Sequence, residues 1–164
     1  LADVGDLDGK SVLDVGCGFG DFYGYLKEAG VTAHYTGIDI SPEVLAEARE
    51  RHADAHFEQI DLLADTFDER FDYVLESGVF NHRISDNERF SQDMLRALYE
   101  CCELGIAANM MTTYVDYRDD YLHYYDPAAV LSFAKSLSRY ATIRHDYPLY
   151  EFSVFIYRES RSFT

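Results

Sequence analysis

The chain has 164 residues, 48% hydrophobic and 15% aromatic, which suits one packed domain, is too short for two of ordinary size and excludes a disordered chain. Its 30 acidic and 14 basic residues give a net charge of -16 at pH 7. That excludes a long contact with a nucleic-acid backbone or an anionic membrane surface, both of which need Lys and Arg. The same acidity favours solubility and a cationic ligand.

Cys17, Cys101 and Cys102 supply neither a disulfide framework nor a metal signature, because adjacent cysteines cannot bridge without strain and no C-x-x-C pair occurs. A reducing cytoplasm is the expected location. No signal peptide and no apolar run of membrane-spanning length is visible. The expectation is a single domain over residues 1–164, monomeric or homodimeric, with no metal.

Taken in order, Ser11–Val15 reads as a buried strand. Three alternate glycines follow, Gly16, Gly18 and Gly20. A helix is expected over Asp21–Ala29, with Gly30 where a C-terminal cap belongs. Ala33–Asp39 is β-rich, and Ser41-Pro42 opens a helix through Arg51 by the cap-then-proline rule. Ala55–Gln59 and Phe71–Leu75 are short strands. Ser85 and Glu88 have the capping-box spacing, ahead of a helix with Phe90, Met94, Leu95 and Leu98 on one face. Leu104–Met111 is the next strand, Asp126-Pro127 opens a helix to Leu137, and Ala141–Asp146 with Glu151–Tyr157 close the chain as an antiparallel pair. Alternating strands and helices predict an α/β, doubly wound, mostly parallel sheet with helices on both faces, which binds ligands at the carboxyl ends of its strands.

The glycines mark a backbone that a ligand must approach closely. An acidic residue, Asp39, ends the next strand nineteen residues past Gly20, where a carboxylate can accept ribose hydroxyls. The spacing is G-x-G-x-G, with Asp14 before it and Asp21 after it. Carboxylates on both sides repel a pyrophosphate and suit a ligand carrying an ammonium and a sulfonium.

Asp14-Val15-Gly16-Cys17-Gly18-Phe19-Gly20 resembles the first motif of class I S-adenosylmethionine-dependent methyltransferases. Gly37-Ile38-Asp39-Ile40-Ser41 resembles their second motif, Gln59-Ile60-Asp61-Leu62 their third, and Phe71-Asp72-Tyr73-Val74-Leu75 their fourth strand. The resemblance implies a Rossmann-like seven-stranded sheet with an antiparallel last strand. It implies S-adenosylmethionine as cofactor, leaving as S-adenosylhomocysteine. It also implies that Asp14, Gly16, Cys17, Gly18 and Gly20 face the methionine moiety, and that Asp39 binds ribose. Asp61, with Ile40 and Leu62, would bind adenine, and Glu76 and Ser77 would lie near the methyl group.

Methyl transfer is an in-line displacement for which the protein positions a nucleophile and removes any proton. His82 is the first candidate base, with Tyr114 as a second; the alternative for His82 is a cap on the next helix. Asn81 and Arg83 are candidate substrate contacts, and Arg83 equally suits a surface ion pair. Residues 112–125 hold five of the 14 tyrosines, among them Tyr117 and Tyr121, and are expected to be a substrate-side insertion or a packed surface loop. Members of the family usually carry a helical segment ahead of the first strand, whereas about ten residues precede Ser11 here, which implies a trimmed lid or a more open pocket. The expected activity is transfer to an oxygen or nitrogen of a small molecule. The alternative is a cofactor-binding module or a subunit that turns over only with a partner.

Overall fold

The computed structural model describes residues 1–161. Seven strands form one sheet: β1 Ser11–Val15, β2 His34–Asp39, β3 His56–Gln59, β4 Phe71–Ser77, β5 Cys102–Met111, β6 Ala141–Arg144 and β7 Glu151–Tyr157. Their order is β3-β2-β1-β4-β5-β7-β6. The first five are parallel, and β7 runs antiparallel to both β5 and β6. The order reverses at β1, so the crevice that such a sheet offers a ligand lies where β1 and β4 part.

Four helices cover the sheet: α1 Asp21–Glu28, α2 Pro42–Arg51, α3 Asn87–Glu100 and α4 Pro127–Leu137. Leu26 of α1 and Leu45 and Ala48 of α2 pack with Val12, Leu75 and Phe155 on one face. Met94, Leu95 and Leu98 of α3 and Val130 and Ala134 of α4 pack with Leu13, Val74, Ile106 and Val154 on the other. No helix among the described residues is long and apolar enough to cross a membrane.

The helix ends follow local chemistry. Ser41 caps α2 by accepting from the Val44 N–H, and Asp126 caps α4 by accepting from the Ala128 N–H. Gly30 has φ 71° and donates to the Lys27 carbonyl, as a glycine after a helix C-terminus does. The expected Ser85 capping box does not form. Asp86 caps α3 instead, accepting from the Arg89 N–H at 3.0 Å. Both side chains have the right chemistry, and the chain enters the helix one residue later because Asn87 is pulled inward. The Asn87 Oδ1 accepts from Ile84 and its Nδ2 donates to the His82 carbonyl.

Candidate functional site

The glycine loop leaves β1 as a tight turn held to β2. The Gly16 and Cys17 N–H groups donate to the Ile38 carbonyl at 2.8 and 3.0 Å. Gly16, Gly18 and Gly20 all have positive φ, at 68°, 56° and 81°. Glycine adopts that region without the side-chain clash of other residues. A side chain at Gly16 would also strike Val79, with its Cβ 2.3 Å from a Val79 methyl, whereas one at Gly18 meets nothing within 4 Å.

Asp39 ties the loop to the end of β2. One carboxylate oxygen accepts from the Gly18 N–H at 3.1 Å and the other from the Ser41 N–H at 2.9 Å. Asp14 is almost fully buried and accepts from the Tyr35 hydroxyl at 2.7 Å. Burial raises its carboxyl to about 7, against the opposing pull of the Tyr35 hydrogen bond. Burial also pushes the Cys17 thiol up to about 12, so Cys17 is an inert wall rather than a nucleophile.

Two clefts meet at this loop, and both are lined by Gly16 and Ser77. The larger, about 610 Å³, is walled by Asp3, Asp14, Asp21, Phe22, Tyr25 and Asn109 together with the glycine loop. The smaller, about 430 Å³, is walled by Asp39, Ile40, Asp61, Leu62, Val79 and His82, with Ile60 and Met94 behind. Asp61 is exposed there, and its carboxylate accepts from the Leu63 N–H. The residues expected to hold a nucleoside therefore share one cleft, and those expected to hold an amino-acid tail line the other, except Gly20, which is buried against His52 and Phe57 and lines neither. The short turn at Ala2–Val4 supplies part of the larger cleft's wall, through Leu1, Ala2 and Asp3, while Val4 is buried in the core.

Several candidates lie elsewhere than the motifs imply. Ser77 is exposed between the clefts, but Glu76 is fully buried, and its Oε1 accepts from the Val79 N–H at 2.6 Å. Along β4, Ser77 and Glu76 point to opposite faces, so only one can reach the ligand side. His82 lines the smaller cleft, among the nucleoside candidates and apart from the carboxylate-walled space. Asn81 is half-buried, its Oδ1 has no partner, and its carbonyl accepts from the His123 N–H. Arg83 is exposed, and its backbone N–H donates to the Tyr121 carbonyl. Tyr114, Tyr117 and Tyr121 are 72%, 66% and 64% exposed and line neither cleft. Tyr114 packs on His145, and the Tyr150 hydroxyl donates to Asp116, so the segment leans on the link between β6 and β7.

Sequence reasoning missed Tyr35, Asn109, Glu151 and Ser153. Asn109 sits in the larger cleft, its Nδ2 donating to Glu151 at 3.2 Å and its Oδ1 accepting from Ser153 at 2.8 Å. A further cavity of about 410 Å³ adjoins it, sharing Leu1, Asp3 and Asn109 and adding Arg144, Tyr147 and Glu151. One signal was available: Asn109 is the single polar side chain in the apolar run from Ile106 to Met111.

The family described as a methyltransferase domain matches residues 12–101. Rv1506c of Mycobacterium tuberculosis, a methyltransferase by name, is 36% identical over 171 aligned positions, covering 96% of this chain and 98% of its own. A malonyl-[acyl-carrier protein] O-methyltransferase of Acetivibrio thermocellus is 34% identical over 85 residues, which is 49% of this chain and 30% of that enzyme. Among solved structures, the magnesium protoporphyrin IX methyltransferase of Synechocystis PCC 6803 with bound S-adenosylhomocysteine superposes with a TM-score of 0.76 at 18% identity, covering 97% of this chain and 78% of that one. With the sheet order, the glycine loop and the paired clefts already in place, this chain belongs to the methyltransferase-domain family.

Proposed function

We propose that the chain binds S-adenosylmethionine across the Gly16–Ser77 saddle and moves its methyl group to an oxygen or nitrogen of a small molecule. The observation that carries this is the division of the site. One cleft is walled by three carboxylates, Asp3, Asp14 and Asp21, and the other by apolar Ile40, Leu62 and Val79 with Asp39 and Asp61. Such a pair fits a ligand with a cationic end and a flat, hydroxyl-bearing end. The left-handed glycines leave the loop backbone bare of side chains toward that ligand.

In this reading the Asp14 carboxylate faces the ammonium, Asp39 accepts from the ribose hydroxyls, and Asp61 accepts from the adenine amino group between Ile40 and Leu62. The cofactor supplies an already activated methyl group, so the chain's own contribution is positioning. Ser77 and Asn109 stand at the boundary between the larger cleft and the strand ends. The adjoining cavity with Tyr147, Glu151 and Ser153 offers hydrogen-bonding groups for the acceptor molecule. Residues 112–125 line none of these cavities, and exposed Tyr117 and Tyr121 are available to an acceptor that approaches from solvent. The similarity to the malonyl O-methyltransferase covers 49% of this chain and 30% of that enzyme, too little to carry that enzyme's acceptor over to this chain.

The test is calorimetric titration with S-adenosylmethionine and S-adenosylhomocysteine, with NADH as control, followed by transfer of labelled methyl to a panel of carboxylic acids, phenols and amines. Micromolar binding of the first two, none of NADH, and label in one acceptor class are expected. Binding without any transfer would favour a cofactor-binding module instead. No binding would overturn the reading.

A further inference from the structure

Tyr35 is buried near the start of β2 and is no part of the glycine loop, yet its hydroxyl is the one side chain among the described residues that donates to Asp14. The register explains the reach. Tyr35 pairs with Val12, and Asp14 pairs with Gly37. Alternation along a strand puts Tyr35 and Gly37 on the same face as Asp14. Gly37 has no side chain, and one built there would meet the Phe57 ring at 2.8 Å and the Cys17 sulfur at 2.9 Å. Gly37 thus leaves room beside Asp14, and Tyr35 reaches up the strand to donate to it. Its ring is clamped by Tyr23 at 5.0 Å and Phe57 at 5.8 Å between ring centroids.

The side chains around Asp14 are acidic, although the Leu1 α-ammonium lines the same cleft and Asp3 is paired with Arg144. Asp39 lies at the end of β2, Asp21 opens α1, Glu76 stands on the neighbouring β4, and Asp3 comes from the N-terminal turn. The Cys17 thiol beside it stays protonated. No Lys or Arg lines the larger cleft among the described residues. The Arg49 of α2 is engaged with the Phe57 carbonyl at 2.7 Å. Among the described side chains, Asp14 therefore has a single hydroxyl donor and no Lys or Arg partner.

We propose that Tyr35 is a positioning residue for cofactor binding: its hydroxyl orients the Asp14 carboxylate toward the larger cleft and holds it ionised, so that the Tyr35–Asp14 pair sets the pH range in which an α-ammonium ligand binds. This rests on the reading of the larger cleft as the amino-acid end of the cofactor site. Burial works against ionisation of Asp14 and the Tyr35 hydrogen bond works for it, which brings the carboxyl to about 7. A bound ammonium adds the missing positive charge. Below pH 7 it must displace a proton from Asp14, so the affinity falls with acidification and a proton is released on binding.

The experiment is titration of the protein with S-adenosylhomocysteine from pH 5.5 to pH 8, in two buffers of different ionisation enthalpy. Wild-type affinity is expected to rise nearly tenfold per pH unit below about 7 and then to level off, with proton release on the acid side. Tyr35→Phe keeps the clamped ring and removes the donor. Its levelling-off should move upward by about one pH unit, with weaker binding at pH 7. Asp14→Asn should bind weakly with no such slope. Thermal melts of each variant establish that it is folded. A Tyr35→Phe profile that overlays the wild type overturns the proposal, as does a flat wild-type profile. No binding by the wild type at any pH overturns the cofactor reading along with it, so the two failures are distinguishable.

Discussion

The Glu76 carboxylate accepts the Val79 N–H at 2.6 Å from a fully buried position, joining the core beneath β4 to the residue that walls the smaller cleft. Its second oxygen, Oε2, is buried and has no hydrogen-bond partner. Burial pushes the Glu76 carboxyl well above the usual glutamate range. An acid raised in the folded state stabilises the fold below its unfolded value and loses that contribution as pH rises toward the folded one. Thermal unfolding of the wild type should therefore weaken from about pH 4.3 upward, and Glu76→Gln should flatten this slope. At pH 8 the variant should melt at least about 2–4 °C higher relative to its own value at pH 5 than the wild type does. Asp14 carries the same sign up to about pH 7, so the difference between the two proteins is the quantity that isolates Glu76. Parallel slopes would place the acid-sensitive group elsewhere.

The loop glycines differ in kind. A methyl at Gly16 collides with Val79, whereas a methyl at Gly18 enters open space and suffers only the left-handed backbone. Gly18→Ala should cost about 1 kcal/mol of stability yet weaken S-adenosylhomocysteine binding at least tenfold. Gly16→Ala should cost more stability than Gly18→Ala. Denaturant midpoints and calorimetry on the same samples check both; full binding by Gly18→Ala would remove the loop backbone from the site.

Asp39 holds two N–H groups, those of Gly18 and Ser41, besides any ligand. Asp39→Ala should lose about 1–3 kcal/mol of cofactor affinity, because ribose hydroxyls and the Gly18 N–H are left unpaired. Adenosine is the informative second probe: if its binding is unchanged while that of S-adenosylhomocysteine falls, the role of Asp39 is loop support alone.

Asn87 fastens the turn that leads into α3, with one bond from Ile84 and one to His82. It is buried, so Asn87→Ala should destabilise the protein by about 1–3 kcal/mol through the unsatisfied backbone groups. Chemical denaturation measures this, and a loss under half a kilocalorie would mean that the turn holds itself.

Much of the parallel half of the sheet was legible because β1 and β4 open as short apolar runs and β1 and β2 end beside a glycine, an aspartate or a cap, whereas β3 offers only Phe57 as a buried apolar residue. Asp14, Asp39 and Asp61 fall near strand ends, and all three reach a cleft. What was not legible depends on register and on facing. Glu76 and Ser77 are neighbours in sequence, but the strand turns one to the ligand side and the other into the core. Ser85 and Asp86 are equally good caps, and the inward pull of Asn87 decides between them. Tyr35 reads as an ordinary strand aromatic until its diagonal relation to Asp14 is known. The tyrosines after β5 looked like pocket lining by composition, yet Tyr114, Tyr117 and Tyr121 face solvent. Aromatic content says nothing about which way a loop folds back.

The ion pair between Asp3 and Arg144 spans almost the whole chain, from the N-terminal turn to the end of β6. Asp3 also belongs to the wall of the larger cleft. During synthesis the glycine loop and its aspartates leave the ribosome early, but Arg144 emerges only with the last strands. A nascent chain ending at β5 holds every residue that lines the smaller cleft and lacks the Arg144 partner of Asp3 in the wall of the larger one. In the proposed reading, the two ends of the cofactor site are thereby completed at different times, the wall around Asp3 last.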